Sequence, residues 1–206
     1  MPSCDVHFSV IVATSGRRSL RSTLRSVVPQ LEPGDEVLVR WSRDDDFGHA
    51  TRQDLVERAR GTHLVFVDDD DRLAPEALAT MRRAAAERDG RVIIFRMRYL
   101  DGRVLWQEPV LRGRNVGTPM LVVPNVPEKL GRWENPEYPR MADFRFVSDT
   151  VARLGEPVFR PEVVAHIRSD PRPLVRLAMT IASLGQAVRY RLAPRTRLRR
   201  LGERRS

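Results

Sequence analysis

The chain has 206 residues, of which 41% are hydrophobic and 31% charged, with a formal net charge of +9. That length suits a single domain with a sizeable core, and the one cysteine, Cys4, excludes an internal disulfide framework. No stretch reaches the ~20 apolar residues of a membrane span, and the opening Met-Pro-Ser-Cys lacks the basic-then-apolar pattern of a signal peptide, so a reducing cytoplasm is the expected setting.

The charge divides the chain. Residues 1–171 carry 26 basic and 26 acidic side chains, whereas residues 172–206 carry ten Arg and one Glu. A neutral domain over 1–171 is therefore expected to precede a separate basic tail over 172–206. Arg outnumbers Lys 35 to 1. That is a compositional habit of the whole chain and makes no argument for a nucleic-acid partner.

In chain order, Phe8 to Ala13 is an apolar strand, and Thr14-Ser15-Gly16 is turn and cap chemistry. Leu20, Leu24, Val27, Val28 and Leu31 recur at helical spacing. Glu36 to Trp41 predicts a second strand, and Ala50 to Arg60 a helix stopped by Gly61. The run from His63 to Val67 is a third strand, rich in residues that fit a covered, pleated surface. It ends in four consecutive carboxylates, Asp68 to Asp71. Pro75 suits the first position of a helix that continues to Glu87. Strands alternating with helices predict an α/β fold with a mostly parallel sheet.

After residue 90 the pattern changes. Arg91 to Leu100 and Arg103 to Trp106 are strand-like and joined by Asp101-Gly102, a hairpin signal. Pro119 to Val123 is a short apolar run, Phe144 to Leu154 is helical and stops at Gly155, and Pro157 to Arg168 holds two short strand candidates. In the tail, Leu174, Leu177, Ile181, Leu184, Val188 and Leu192 fall on one helical stripe beside Arg176, Arg189 and Arg191. Three readings compete there: an amphipathic helix on an anionic membrane surface, a helix packed on the domain, and a solvated tail.

The acid run is the informative feature. In open α/β sheets ligands bind at the carboxyl ends of the strands, where these acids stand. Four adjacent carboxylates repel one another unless a cation compensates, and oxygen ligands suit Mg²⁺ or Mn²⁺. A solvated acidic turn is the alternative.

Four segments together resemble family 2 glycosyltransferases of the GT-A fold. They are Ser9 to Ser15 with the following helix; Gly48-His49-Ala50-Thr51-Arg52-Gln53; Phe66-Val67 with the acid run, similar to the family's D-x-D motif; and Gly117-Thr118-Pro119, Leu130-Gly131-Arg132-Trp133 and Ala142-Asp143, similar to its acceptor segment. The chain departs from the family's pattern at Arg40-Trp41-Ser42, which replaces a pair of Asp; at Gln53, which replaces Asn; and at Ala142, which replaces Glu.

The resemblance implies a metal-dependent, inverting transfer of a sugar from a nucleotide-sugar donor to a glycan or lipid-linked acceptor. It implies that Thr14, Ser15, Arg52, Asp68 and Asp69 bind the donor, that Asp70, Asp68 and His166 hold Mg²⁺ or Mn²⁺, and that Asp143 is the general base. Asp149 is the fallback base and Arg168 a second phosphate partner. Trp106 and Trp133 are core residues or sugar platforms. A nucleotidyltransferase would also place carboxylates and a metal at strand ends, and a degenerate relative would only bind a partner through its tail. With the tail on a bilayer, the protein would sit at the inner face of the cell membrane.

Overall fold

The computed structural model describes residues 5–42, 47–87, 90–134, 141–167 and 188–191. Nine strands among these form one mixed sheet, flanked by four α-helices. The strands are β1 (Phe8–Thr14), β2 (Glu36–Trp41), β3 (His63–Phe66), β4 (Arg72–Leu73), β5 (Ile93–Tyr99), β6 (Val104–Leu105), β7 (Leu121–Pro124), β8 (Val158–Ile167) and β9 (Val188–Arg191). The helices are α1 (Leu20–Val27), α2 (His49–Glu57), α3 (Ala77–Glu87) and α4 (Ala142–Leu154).

The sheet order is β4-β8-β5-β7-β3-β1-β2-β9, with β6 on β5. The longest ladders, β1–β2 and β5–β8, are parallel, and β1–β3 is parallel too. Short antiparallel ladders complete the sheet. Strands β1, β3 and β7 are buried along their whole length, which is why their sequences are continuous apolar runs and not alternating ones. Phe8, Phe66, Phe95 and Phe146 are the largest fully buried rings of the core.

The strand directions locate the site. β1, β2 and β3 run together. β7 is antiparallel to both β3 and β5, so β5 and its parallel partner β8 run in the direction of β3. The carboxyl ends of β1, β2, β3, β5 and β8 therefore share one edge. Thr14 and Ser15, Trp41, Asp68 to Asp71, Tyr99 and His166 are the residues these ends deliver.

Several expectations need correction. The third helix does not begin at Pro75: Glu76 has φ 59°, a left-handed conformation that no helix tolerates, and α3 starts at Ala77. The fourth helix starts before Phe144, at Ala142, which puts Asp143 inside its first turn. Pro157 to Arg168 yields one strand rather than two. Pro161 lacks an N–H, and the register on β5 jumps across it, from Phe159 to Val163. Strand β4, only two residues long, has no sequence pattern to announce it. In the tail, residues 188–191 form a strand antiparallel to β2, not part of a helix. The rest of the proposed helical stripe, and Arg168, lie outside the described residues.

Candidate functional site

Strand β3 passes into the acid run while still tied to β1, since Val67 N–H donates to the Ile11 carbonyl at 3.0 Å. The run is held from the other side by α1. Thr23 Oγ1 donates to the Asp71 carbonyl at 2.7 Å, and Ser26 Oγ accepts from Leu73 N–H at 3.1 Å. The short β4 then pairs with β8, bringing Arg72 opposite His166. The acids thus sit on a braced turn, in the manner of a preorganised site.

Each carboxylate has its own surroundings. Asp69 is buried and accepts from Thr14 Oγ1 at 2.7 Å and Ser15 N–H at 3.0 Å, which fastens the β1 turn to the acid run. Asp68 pairs with Arg52. Asp70 pairs with Arg17, whose guanidinium also lies 3.6 Å from Asp69. Asp71 is buried, its N–H donating back to the Asp68 carbonyl at 3.1 Å. Burial pushes the Asp70 carboxyl up to about 6. Asp68 and Asp69 push the same way, and Arg17 opposes them.

Arg52 is the hub of this edge. It is buried, donates to the Phe47 carbonyl at 2.7 Å, and lies over the Trp133 ring at 5.1 Å. Phe47 and Gly48 are both left-handed, φ 58° and 79°, and this double turn aims the Phe47 carbonyl at Arg52 as α2 begins. A non-glycine residue in that region costs roughly 1 kcal/mol, a strain of the kind found at functional sites. Trp133 is stacked on Phe146 at 4.8 Å, and its backbone N–H donates to Gln53 Oε1 at 3.1 Å. Its loop approaches α4 so closely that a Cβ on Gly131 would strike the Phe146 carbonyl. With 3% exposure, Trp133 is a core ring beneath Arg52, not a sugar platform. Trp106 is also buried, donating to the Ile94 carbonyl at 3.2 Å.

Asp143 reaches the same edge from α4. Its Oδ1 accepts the Phe144 N–H at 2.7 Å. Burial pushes its carboxyl up to about 6; Asp68 also raises it, while Phe144 N–H and Arg52 oppose. Asp143, Asp68 and Arg52 are thus mutually within electrostatic reach. Asp149, by contrast, lies two turns on and faces Arg145 at 3.8 Å. Ala142 is fully buried where the resemblance expects Glu.

Sequence reasoning missed two residues here. Arg17 is the partner of Asp70 across 53 positions. Tyr99, at the end of β5, has its hydroxyl pKa raised, first by burial and then by the charges of Asp71 and Asp143, with Arg103 opposing from 4.7 Å over the ring. Its place before the Asp101-Gly102 turn was the available signal, since that turn marks another strand end on this edge.

His166 lies between Arg72 on β4 and Arg98 on β5. Among the described residues no three His, Cys, Asp or Glu side chains converge as a ready metal site. The donor chemistry still suits a hard cation. Asp68, Asp69 and Asp70 offer oxygen donors in one run, and a cation there would oppose the burial and the neighbouring carboxylates that raise Asp70.

No protein-family profile and no curated protein matches the chain. Solved structures do. Residues 1–349 of S. aureus TarS align with a TM-score of 0.62 at 16% identity, over 78% of this chain and 60% of that one. The same TarS fragment in complex with UDP-GlcNAc aligns over 84% of this chain and 62% of that one, again with a TM-score of 0.62. Its complex with UDP aligns with a TM-score of 0.57 at 14% identity. This chain therefore spans about 60% of the length of that fragment. At such identity the likeness establishes a fold shared with TarS.

Proposed function

We propose that the chain is a family 2-type glycosyltransferase that transfers a sugar from a nucleotide-sugar donor to a glycan or lipid-linked acceptor with inversion. The observation that carries this reading is the convergence of Asp68, Arg52 and Asp143 at the carboxyl edge of the sheet, in a fold shared with TarS, whose structures hold UDP-GlcNAc and UDP.

The chemistry follows from the parts. The departing nucleoside diphosphate develops negative charge, and the planar forks of Arg52 and Arg17 suit its phosphate oxygens once they leave their aspartates. Mg²⁺ or Mn²⁺, when bound, would neutralise the same diphosphate, with Asp70 and Asp68 as its holders and His166 as the neighbouring donor. Asp143 accepts the proton of the acceptor hydroxyl. A carboxylate with a pKa near 6 is ionised at neutral pH yet more basic than an ordinary one, as a general base requires. One base without a partner nucleophile implies direct displacement. Tyr99, whose hydroxyl feels the charges of Asp71 and Asp143, would orient the acceptor.

The ten arginines of residues 172–206 support a peripheral site on an anionic bilayer, at roughly 1 kcal/mol per Arg near the surface. The test of the reaction is product analysis with a panel of nucleotide sugars and Mn²⁺. Release of free nucleoside diphosphate supports transfer. Release of pyrophosphate would instead support nucleotidyl transfer, and no turnover with any donor would support a non-catalytic binding protein.

A further inference from the structure

Trp41 ends β2 at the ligand edge, and the residue is 40% exposed. Among the residues whose burial is described, Trp41 and Phe47 are the only exposed Phe, Tyr or Trp, and both stand at this edge. Trp41 is not loosely attached. It is the register partner of Thr14, and the next residue, Ser42, donates its N–H to the Thr14 carbonyl at 2.7 Å. The indole lies against Gly16, where a Cβ would come within 2.5 Å of the ring. Gly16 is left-handed at φ 81°, so both its conformation and its missing side chain make room for the ring. An apolar ring held at a strand end and left partly bare calls for a flat ligand.

The neighbours name that ligand. Gly16 is followed by Arg17, whose guanidinium reaches Asp70 and Asp69. An aromatic plate, a cation and the acid run thus succeed one another along the edge. A nucleotide sugar presents its parts in the same order: base, diphosphate, sugar. We propose, resting on the donor reading above, that Trp41 is the stacking platform for the donor's nucleobase. In this chain an aromatic face stands where the resemblance leads one to expect a carboxylate. Stacking uses the π-face that every base offers.

The test separates base from phosphate. UDP, GDP, ADP and CDP are titrated by calorimetry and by indole fluorescence, each with Mn²⁺, beside pyrophosphate as a ligand without a base. The other two tryptophans, Trp106 and Trp133, are buried, and Trp133 lies under Arg52, so the quenching that a nucleotide causes beyond that caused by pyrophosphate should come from Trp41. W41A should weaken the best-bound nucleoside diphosphate about ten- to a hundred-fold, the range of one base–aromatic stack, and leave pyrophosphate unchanged. W41F should keep most of the affinity but lose the quenching. Should W41A fail to fold, the loss of quenching in W41F decides alone. Unchanged affinity in W41A, quenching that survives in W41F, or an equal loss for pyrophosphate overturns the platform while the donor reading stands. If the wild-type protein binds none of the four nucleotides, the donor reading itself falls and takes the platform with it.

Discussion

The two ends of the sheet carry the same trio of side chains to opposite effect. At the amino end, Asp35 pairs with Arg82 at 2.7 Å, and Arg82 lies over the Phe8 ring at 4.8 Å. At the carboxyl end, Asp68 pairs with Arg52, which lies over Trp133 at 5.1 Å. The first trio is saturated. The Asp35 side chain is fully buried and also accepts Phe8 N–H and Glu32 N–H, each at 2.8 Å, while Arg82 reaches the exposed Glu32 carboxylate as well, at 3.1 Å. The second is unfinished. Asp68 is one-third exposed, and its charge is felt at both Asp70 and Asp143, whose carboxyls are raised. A fully buried, fully hydrogen-bonded carboxylate closes an end of a domain. A trio whose carboxylate is part-exposed and borders raised carboxyls is held ready for a ligand.

The contrast breaks most sharply at Asp143. Asp143→Asn keeps the size and the acceptor for Phe144 N–H but cannot take a proton. Turnover should fall at least ~100-fold, as for loss of a general base, with donor affinity little changed. Steady-state kinetics beside direct donor titration checks this. Unaltered turnover would remove Asp143 from the chemistry.

The two arginines should then part ways. Arg82→Ala strands a fully buried carboxylate and should cost about 3 kcal/mol of stability, with nucleotide binding unchanged in the protein that remains folded. Arg52→Ala leaves Asp68 within reach of water and should cost only about 1–2 kcal/mol, yet it should weaken nucleotide binding markedly. It should also move the acidic limb of the pH–rate profile above pH 6, because Arg52 holds the Asp143 pKa down. Urea unfolding and calorimetry on both variants would show the crossing pattern or its absence.

A smaller effect sharpens the same point. The Asp143 carboxyl is pushed up from an ordinary 3.8 to about 6 in the folded protein. A raised carboxyl favours folding below its unfolded value, and that stability is lost as pH rises through the folded one. Asp143→Asn should therefore be more stable than wild type at pH 8, by about 1–2 kcal/mol after allowing for solvent screening, and the two should converge below pH ~4. Melting curves across that window test it.

The legible parts of this molecule were the local ones. The strands β1, β2 and β3 and the helices between them announce themselves because burial on both faces leaves continuous apolar runs, and turn residues mark the breaks. The acid run is legible for the same reason: its chemistry is contiguous. Arg52 and Asp143 came only through resemblance, since 35 arginines give no single one a signal. What stayed hidden was long-range. Arg17 meets Asp70 across 53 positions, Arg82 meets Asp35 across 47, and Tyr99 joins the edge only because β7 reverses direction between β3 and β5. The two-residue β4 and the pairing of β9 with β2 depend on neighbours that no local pattern encodes.

Whether the carboxyl edge is a ligand site is tested most directly at Asp70, the carboxylate of the acid run that burial pushes up to about 6. Calorimetric titration of wild type, Asp70→Ala and Asp70→Asn with UDP, GDP, ADP and CDP, with and without Mn²⁺, is the measurement. Saturable, Mn²⁺-dependent binding by the wild type, lost in both variants while their melting temperatures hold or rise, is the expected result. The same nucleotide affinity and the same Mn²⁺ dependence in Asp70→Ala would contradict it and make the acid run a braced turn and nothing more.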